Sequence, residues 1–393
     1  MVNLVIEELF YEENMNCAMK RVIRRSKGEK RAEAEEFEEH WKEYGQCWVE
    51  DISNNRYHPT PYRGVWIPKK NGIDMRMLSI PATGDKILQL ATAMELAKAF
   101  DRGFHECSYG FRKHHSIQQA VRRCVFYANK KKCFVADLDI KGFFDNIEHS
   151  VLIGILECNI RDKRIVRWIE RIIKAGTLCN GRIVKKNQGI SQGSPLSPLL
   201  ANVVLNELDW YMEKQGNSFV RYADDIVLFC ENLEEAEQSL RKINKYMEDK
   251  LKLQINWNKT YVYALEKIEY LGYQFQLADS GWKLKIGKEK QKELLFKVKQ
   301  YIKDNQKGQS VGWWNRIGSF NRGWINFYRN VPKDNLLPII REMDGLEQAE
   351  IREQMMKLHQ RNRNHAHEAE QAFLVSAFVY NRIWYQRIME GRK

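Results

Sequence analysis

The sequence predicts an α+β fold that is helical at both ends, and three observations carry that prediction. Helical periodicity with dense charge runs through residues 1 to about 57. Short β-type runs then alternate with helical stretches from Val65 to about Phe275, and a helical pattern returns from Lys283. In the first segment a basic stretch (Lys20, Arg21, Arg24, Arg25, Lys27, Lys30, Arg31) precedes an acidic run from Glu33 to Glu39, which fits a solvated helix face. Pro59 and Pro61 break any helix and open an extended segment, so a boundary falls near residue 60. The strand-like runs that follow are VWIPK, RMLSI, CFVADLDI, FVRYADDIVLFC and YLGYQF.

Composition bounds the function. With 393 residues, 44% hydrophobic and 29% charged, the chain has room for two or three domains with real cores, and a disordered or fibrous protein is excluded. Its 64 Lys+Arg against 51 Asp+Glu leave a net charge of +13, which suits nucleic acid or an anionic membrane. Over 281–329 there are twelve Lys/Arg against three acidic residues, so much of that excess is local. No apolar stretch approaches the roughly 18 residues a membrane span needs, and the N-terminus MVNLVIEELFYEEN is acidic. A soluble, cytoplasmic protein with no membrane partner is the expectation. The eight cysteines contain no C-x-x-C pair, which predicts reduced thiols rather than a zinc site or a disulfide framework.

The chemistry concentrates in two acidic strands. Ser218–Cys230 predicts a hairpin with Asp224 and Asp225 at its turn. Adjacent carboxylates repel, and a bound Mg²⁺ relieves that cost, although an ordinary Asp-containing turn has the same local pattern. In Cys133–Asp145 the spacing puts Asp137 and Asp139 on one face if the strand continues through them. Periodicity leaves open which of those two is a ligand. Carboxylates from two strands build a two-metal site for in-line phosphoryl displacement.

YADD at 222–225, DLDIKGFFDNIEH at 137–149 and SQGSPLSPLLANVVLNELD at 191–209 resemble the motifs of reverse transcriptases, specifically the bacterial group II intron-encoded lineage. IPKKNGIDMRMLSIP (67–81), SYGFR (108–112), INWNKT (255–260), EYLGYQF (269–275) and GSFNRGWINFYRN (318–330) match further motifs in the expected order. The resemblance implies a right-hand polymerase: a helical N-terminal extension (1–60), fingers and palm (61–280), and a helical thumb with a C-terminal tail (281–393). It implies Asp139, Asp224 and Asp225 as catalytic carboxylates holding two Mg²⁺, with Mn²⁺ as a substitute. Lys69 and Arg76 would grip the triphosphate, Gln192 and Gly193 would shape the nucleotide pocket, and Lys259 would reach a phosphate. Phe144 stands where the family carries the bulky side chain that excludes a 2′-OH, whereas Phe143 fits the core.

The expected partners are an RNA template, a DNA or RNA primer and deoxynucleoside triphosphates. Arg112 is assigned to nucleic acid, as are Arg316, Arg322 and Arg329, which interleave with the helix-packing aromatics Trp313, Phe320, Trp324, Phe327 and Tyr328. His365 and His367 have no companion ligands in view. Lys86 stands where the family pattern shows Arg, and Lys113 where it shows Pro. About 63 residues follow the thumb signature, without a Cys-rich endonuclease module. That predicts a stand-alone enzyme copying a dedicated structured RNA, for example in antiviral defence. The alternatives are an intron maturase without endonuclease and an RNA-binding splicing factor with a vestigial site.

Overall fold

The computed structural model describes residues 2–68, 75–130, 134–185, 187–306 and 313–361, with side chains outside 302–306, 313–316 and 350–361. In chain order the elements begin with α1 (Glu12–Arg25), α2 (Glu29–Ser53), β1 (Tyr62–Pro68), β2 (Met75–Ile80), α3 (Thr83–Phe100) and α4 (Ile117–Ala128). Next come β3 (Phe134–Leu138), α5 (Phe143–Asn146), α6 (His149–Asn159), α7 (Lys163–Lys174), β4 (Thr177–Cys179), β5 (Arg182–Val184) and α8 (Ser197–Lys214). Then follow β6 (Ser218–Tyr222), β7 (Asp225–Cys230), α9 (Leu233–Tyr246), β8 (Tyr261–Ala264), β9 (Glu269–Tyr270), β10 (Tyr273–Ala278) and β11 (Gly281–Lys285). Three helices close the series: α10 (Lys288–Gln306), α11 (Trp313–Phe327) and α12 (Lys333–Arg361). No helix among the described residues is long and apolar enough to cross a membrane, and the seven described cysteines are free thiols.

The chain divides into two compact units, residues 1–120 with 133–262 and residues 121–132 with 263–393. The N-terminal helices belong to the first unit. Helix α1 buries Met15, Ala18, Met19 and Val22, one stripe at helical spacing. Buried Asn14 donates from Nδ2 to the carbonyls of Leu9 (2.7 Å) and Ala91 (2.9 Å), which pins α1 to α3. The Pro-rich link before β1 has no regular backbone pairing, so side chains hold it. Arg171 donates to the carbonyls of Asn55 and Tyr57, and buried Asp85 accepts from the Tyr57 hydroxyl and the Thr60 N–H, both at 2.9 Å. Burial raises the Asp85 carboxyl above its ordinary value, against the pull of those bonds.

Two four-stranded sheets organise this unit. One has the order β2-β1-β4-β5, with Trp66 opposite Met77 across its antiparallel β1–β2 pair. Its β4–β5 hairpin lies outside the predicted strands, because TLC and RIV are too short to show alternation. The other has the order β6-β7-β3-β8. Three of its strands, β3, β6 and β7, are largely buried on both faces: Val135, Ala136, Leu138, Phe219, Val220 and Ile226–Cys230 are all at most 2% exposed. Helices α8 and α9 pack against it, which explains why β7 is continuously apolar. Pro198 in the first turn of α8 suits a helix start, where its missing N–H costs nothing.

The second unit corrects two strand expectations. YLGYQF is not one strand: Leu271 and Gly272 take left-handed φ values of +51° and +83°, so β9 turns back on β10 with Tyr270 opposite Tyr273. The helical pattern read from Lys283 begins instead at Lys288, since Gly281–Lys285 is β11, paired with β10. Below them Tyr273 stacks on Phe327 at 5.5 Å and donates to its carbonyl, while the Tyr328 hydroxyl donates to Gly272 O at 3.2 Å. The aromatics of α11 thus build the packing of this unit.

Candidate active site

Strand register brings the acidic residues together. Tyr222 pairs with Asp225 across the β6–β7 hairpin, so the loop is Ala223–Asp224 and Asp225 is the first residue of β7. This moves the turn by one residue from the expected Asp224–Asp225. The cause is Ala223, which takes φ +60°, a backbone conformation glycine usually supplies. It is held there from two sides. Arg221 Nη1 donates to Ala223 O at 2.9 Å, and the backbone of Gly110 approaches so closely that a Cβ on Gly110 would stand 2.3 Å from Ala223 N. Tyr109 N–H donates to Arg221 O and Arg221 N–H to Cys107 O, both at 2.9 Å, so the SYGFR segment is laced to the edge of β6.

Arg221 is fully buried, and its charge is answered within the fold. Nε donates to Asp209 Oδ1 (2.7 Å), Nη2 to Asp209 Oδ2 (2.5 Å) and Nη1 to Asn202 Oδ1 (2.8 Å). Asn202 Nδ2 donates in turn to Gly110 O at 2.8 Å. A bidentate guanidinium–carboxylate pair is stiff as well as strong, so the loop carrying Asp224 rests on a rigid support. None of Arg221, Asp209, Asn202 or Gly110 stood out as a site residue in the sequence. The available signal was a lone cation in an apolar strand, which must find a buried partner.

Asp139 comes to the same place from another strand. β3 ends at Leu138, one residue earlier than a face shared with Asp137 requires. Beyond that end, Asp139 is fixed by three bonds. Its N–H donates to Thr260 Oγ1 (3.1 Å), its carbonyl accepts from Asn256 N–H (2.8 Å) and its Oδ2 from Asn256 Nδ2 (2.8 Å). Burial raises the Asp224 carboxyl and the Asp139 charge adds to it, while the Asp224 amide and Arg221 oppose. Asp137 is pushed up to about 6, by burial first and then by Asp225 and Asp139. Asp137 thus senses the charges of Asp225 and Asp139, and Asp224 that of Asp139, as crowded like charges do.

A cleft of about 1020 Å³ joins these residues to the nucleotide-binding candidates: Asp139, Asp224, Arg76, Phe144, Gln192, Gly193, Asn256 and Lys259 all line it. Gly193 has φ +129°, and a Cβ there would meet Ser79 O at 2.7 Å, so only glycine lets this loop lie on β2. Ser79 N–H donates to Gln192 O at 2.8 Å. Phe143 is buried, whereas Phe144 is half-buried at the wall of the cleft. Asp225 is exposed and is not part of the lining. Among the described residues no three His, Cys, Asp or Glu side chains stand together as a closed metal cage. The donor set still fits Mg²⁺, which typically takes one or two carboxylates and completes its shell with water and substrate phosphates.

Residues 67–275 match the family model for reverse transcriptase (RNA-dependent DNA polymerase). The chain belongs to the reverse transcriptase family. It is 28% identical to the group II intron-encoded protein LtrA of Lactococcus lactis subsp. cremoris, over 66% of this chain and 55% of that protein. It is 29% identical to protein YkfC of Escherichia coli (strain K12), over 55% of this chain and 66% of that one. These relatives mark it as a group II intron-like member, and it spans little more than half the length of the first of them. A telomerase from Candida albicans, solved in complex with a TWJ fragment of telomeric RNA, matches with a TM-score of 0.56 at 14% identity, over 89% of this chain and 65% of that one. That likeness shows the fold, a right-hand reverse transcriptase.

The remaining assigned residues divide. Arg112 is corrected: its side chain is 6% exposed, and its fork donates to Asp101 Oδ1 and to the carbonyls of Asp101, His105 and Ser108 at 2.7–3.1 Å. It organises the approach to SYGFR and has no face left for a phosphate. Arg322 and Arg329 lie at α11 and just beyond it in the second unit. Arg322 Nη2 donates to Ser319 Oγ (3.0 Å) and exposed Arg329 donates from Nη1 to Asn326 Oδ1 (3.4 Å). Lys69, the side chain of Arg316, and His365 with His367 lie outside the described residues.

Proposed function

We propose that this reverse transcriptase is an RNA-directed DNA polymerase, joining deoxynucleotides to a primer 3′-hydroxyl opposite an RNA template. One observation carries the reading: a single cleft gathers Asp139 and Asp224 with the cations Arg76 and Lys259, Phe144 and the Gln192–Gly193 loop. In the reaction the 3′-oxygen bonds to the α-phosphorus of the nucleotide, and the bond to pyrophosphate breaks. Arg76 and Lys259 neutralise the triphosphate as charge moves onto the leaving oxygens. Phe144 lies against the sugar and excludes a 2′-hydroxyl. The close approach of Gly193 to β2 leaves the Gln192 edge facing the base pair.

Reverse transcriptases depend in general on divalent metal, and here Asp139 and Asp224, with Asp225 beside them, would hold two Mg²⁺. When bound, such ions stabilise the attacking and leaving oxygens. The template class is RNA, and sequencing the nucleic acid that copurifies with the protein identifies it. Primer extension on a defined RNA template, with dNTPs and Mg²⁺ or with EDTA, tests the activity. Extension that requires Mg²⁺ supports it, and no extension with any divalent ion contradicts it.

The carboxylate charges give this reading a pH signature. With Asp137 near 6 and Asp224 raised, protons compete with a cation for the cluster as pH falls. The Mg²⁺ concentration for half-maximal extension should rise about fourfold from pH 7 to pH 5.5, as for one competing group half-protonated near pH 6. Titrating Mg²⁺ at both pH values measures this, and Asp137→Asn should flatten the dependence.

A further inference from the structure

Phe144 belongs to α5, a single turn of four residues, and one turn does not hold itself in water. Something else must set how far its ring stands into the cleft. A strap formed by residues 187–190 runs antiparallel along 144–149. His149 N–H donates to Asn187 O (3.2 Å), Gly189 N–H to Ile147 O (2.7 Å) and Ile190 N–H to Phe144 O (2.8 Å), with Glu148 bridged to Gln188. Gly189 has φ +88°, and a Cβ on it would stand 2.9 Å from Asp145 O. The strap therefore lies flat against the backbone of α5. It leads within two residues into Gln192, which lines the same cleft as Phe144.

One side chain ties the strap down. His149, 4% exposed, has its Nε2 at 2.7 Å from Gly189 O. A carbonyl only accepts, so Nε2 carries the proton. Nδ1 is buried without a hydrogen-bond partner. The Nε2 bond to Gly189 is therefore the hydrogen bond that this buried ring makes.

We infer that His149 is a positioning residue for sugar selection. By holding the Gly189 carbonyl it keeps the strap against α5, and through the Ile190–Phe144 bond it fixes the depth of the Phe144 ring. The inference rests on the proposed function, and specifically on Phe144 facing the sugar. Without the Nε2 donor the strap loosens, α5 gains freedom, and Phe144 yields to a 2′-hydroxyl.

The test compares kcat/KM for a dNTP and the matching rNTP in the full chain and in F144A, H149N and H149Q. The Gln amide nitrogen reaches the position of Nε2, whereas the Asn amide reaches only that of Nδ1. The expected result is that H149N lowers the dNTP preference roughly tenfold, the size usual for groups that orient a site residue. The change should come through a rise in the rNTP value, while H149Q keeps the preference. A general loss of structure would lower both nucleotides alike and would not be rescued by Gln. If F144A relaxes the preference and H149N leaves it intact, the inference is overturned and the role of Phe144 stands. If F144A leaves the preference unchanged, the role of Phe144 is wrong and the inference goes with it. Should H149N fail to fold, H149L against H149Q makes the same comparison.

Discussion

Exchange of Arg221 for methionine is expected to destabilise the chain by about 3–5 kcal/mol, the usual cost of stranding one partner of a buried ion pair. Asp209 would be left charged and fully buried, and Ala223 O and Asn202 Oδ1 would each lose a donor. Polymerase activity should fall further than stability alone explains, because Arg221 also holds Ala223 in its left-handed conformation and so sets the position of Asp224. Pairing Arg221→Met with Asp209→Leu removes the stranded charge. The double variant should recover much of the stability in denaturant unfolding while primer extension stays low. Full recovery of both would mean that Arg221 serves only to neutralise Asp209.

Gly110→Ala is expected to cost roughly a hundredfold in primer extension, the scale of a displacement of about 1 Å at a reacting group. The added methyl would stand 2.3 Å from Ala223 N and 3.0 Å from Tyr222 C. Both are backbone atoms, so no rotamer change relieves the clash, and either SYGFR or the Asp224 loop must shift. Unfolding should show a loss of about 1–3 kcal/mol, as for other overpacked sites. Gly154→Ala in α6 is the control, since nothing lies within 4 Å of a Cβ there. It should leave activity unchanged and add a few tenths of a kcal/mol or more through helix propensity.

What the sequence showed of this molecule follows what each pattern physically reports. Runs rich in β-branched, aromatic and other apolar residues marked β1, β2, β3, β6, β7 and β10, because those strands are five or more residues long. The β4–β5 hairpin and β11 escaped, being short or shared with a pattern that also fits a helix. The turn at Leu271–Gly272 was hidden because tyrosines on either side continue an apolar run through it. In the site, motif order located Asp139, Asp224, Gln192 and Gly193, and the structure brings all four to one cleft. Spacing alone does not report which way a cation faces. Arg112, which its motif offers to nucleic acid, has an enclosed side chain, and Arg221, a lone cation in an apolar strand, supports the acidic loop. Asn256 shares a motif with Lys259 and drew no notice, yet it is the residue that grips the Asp139 carboxylate.

Primer extension decides whether Asp224, in the cleft, and Asp225 beside it carry out RNA-templated DNA synthesis. The assay uses an RNA template, dNTPs and Mg²⁺ and compares the unaltered chain with Asp224→Ala/Asp225→Ala. The expected result is extension by the unaltered chain and a fall of at least about a thousandfold in the double variant, with binding of the same RNA changed by no more than a few fold. DNA synthesis that persists in the double variant at a comparable rate would contradict it.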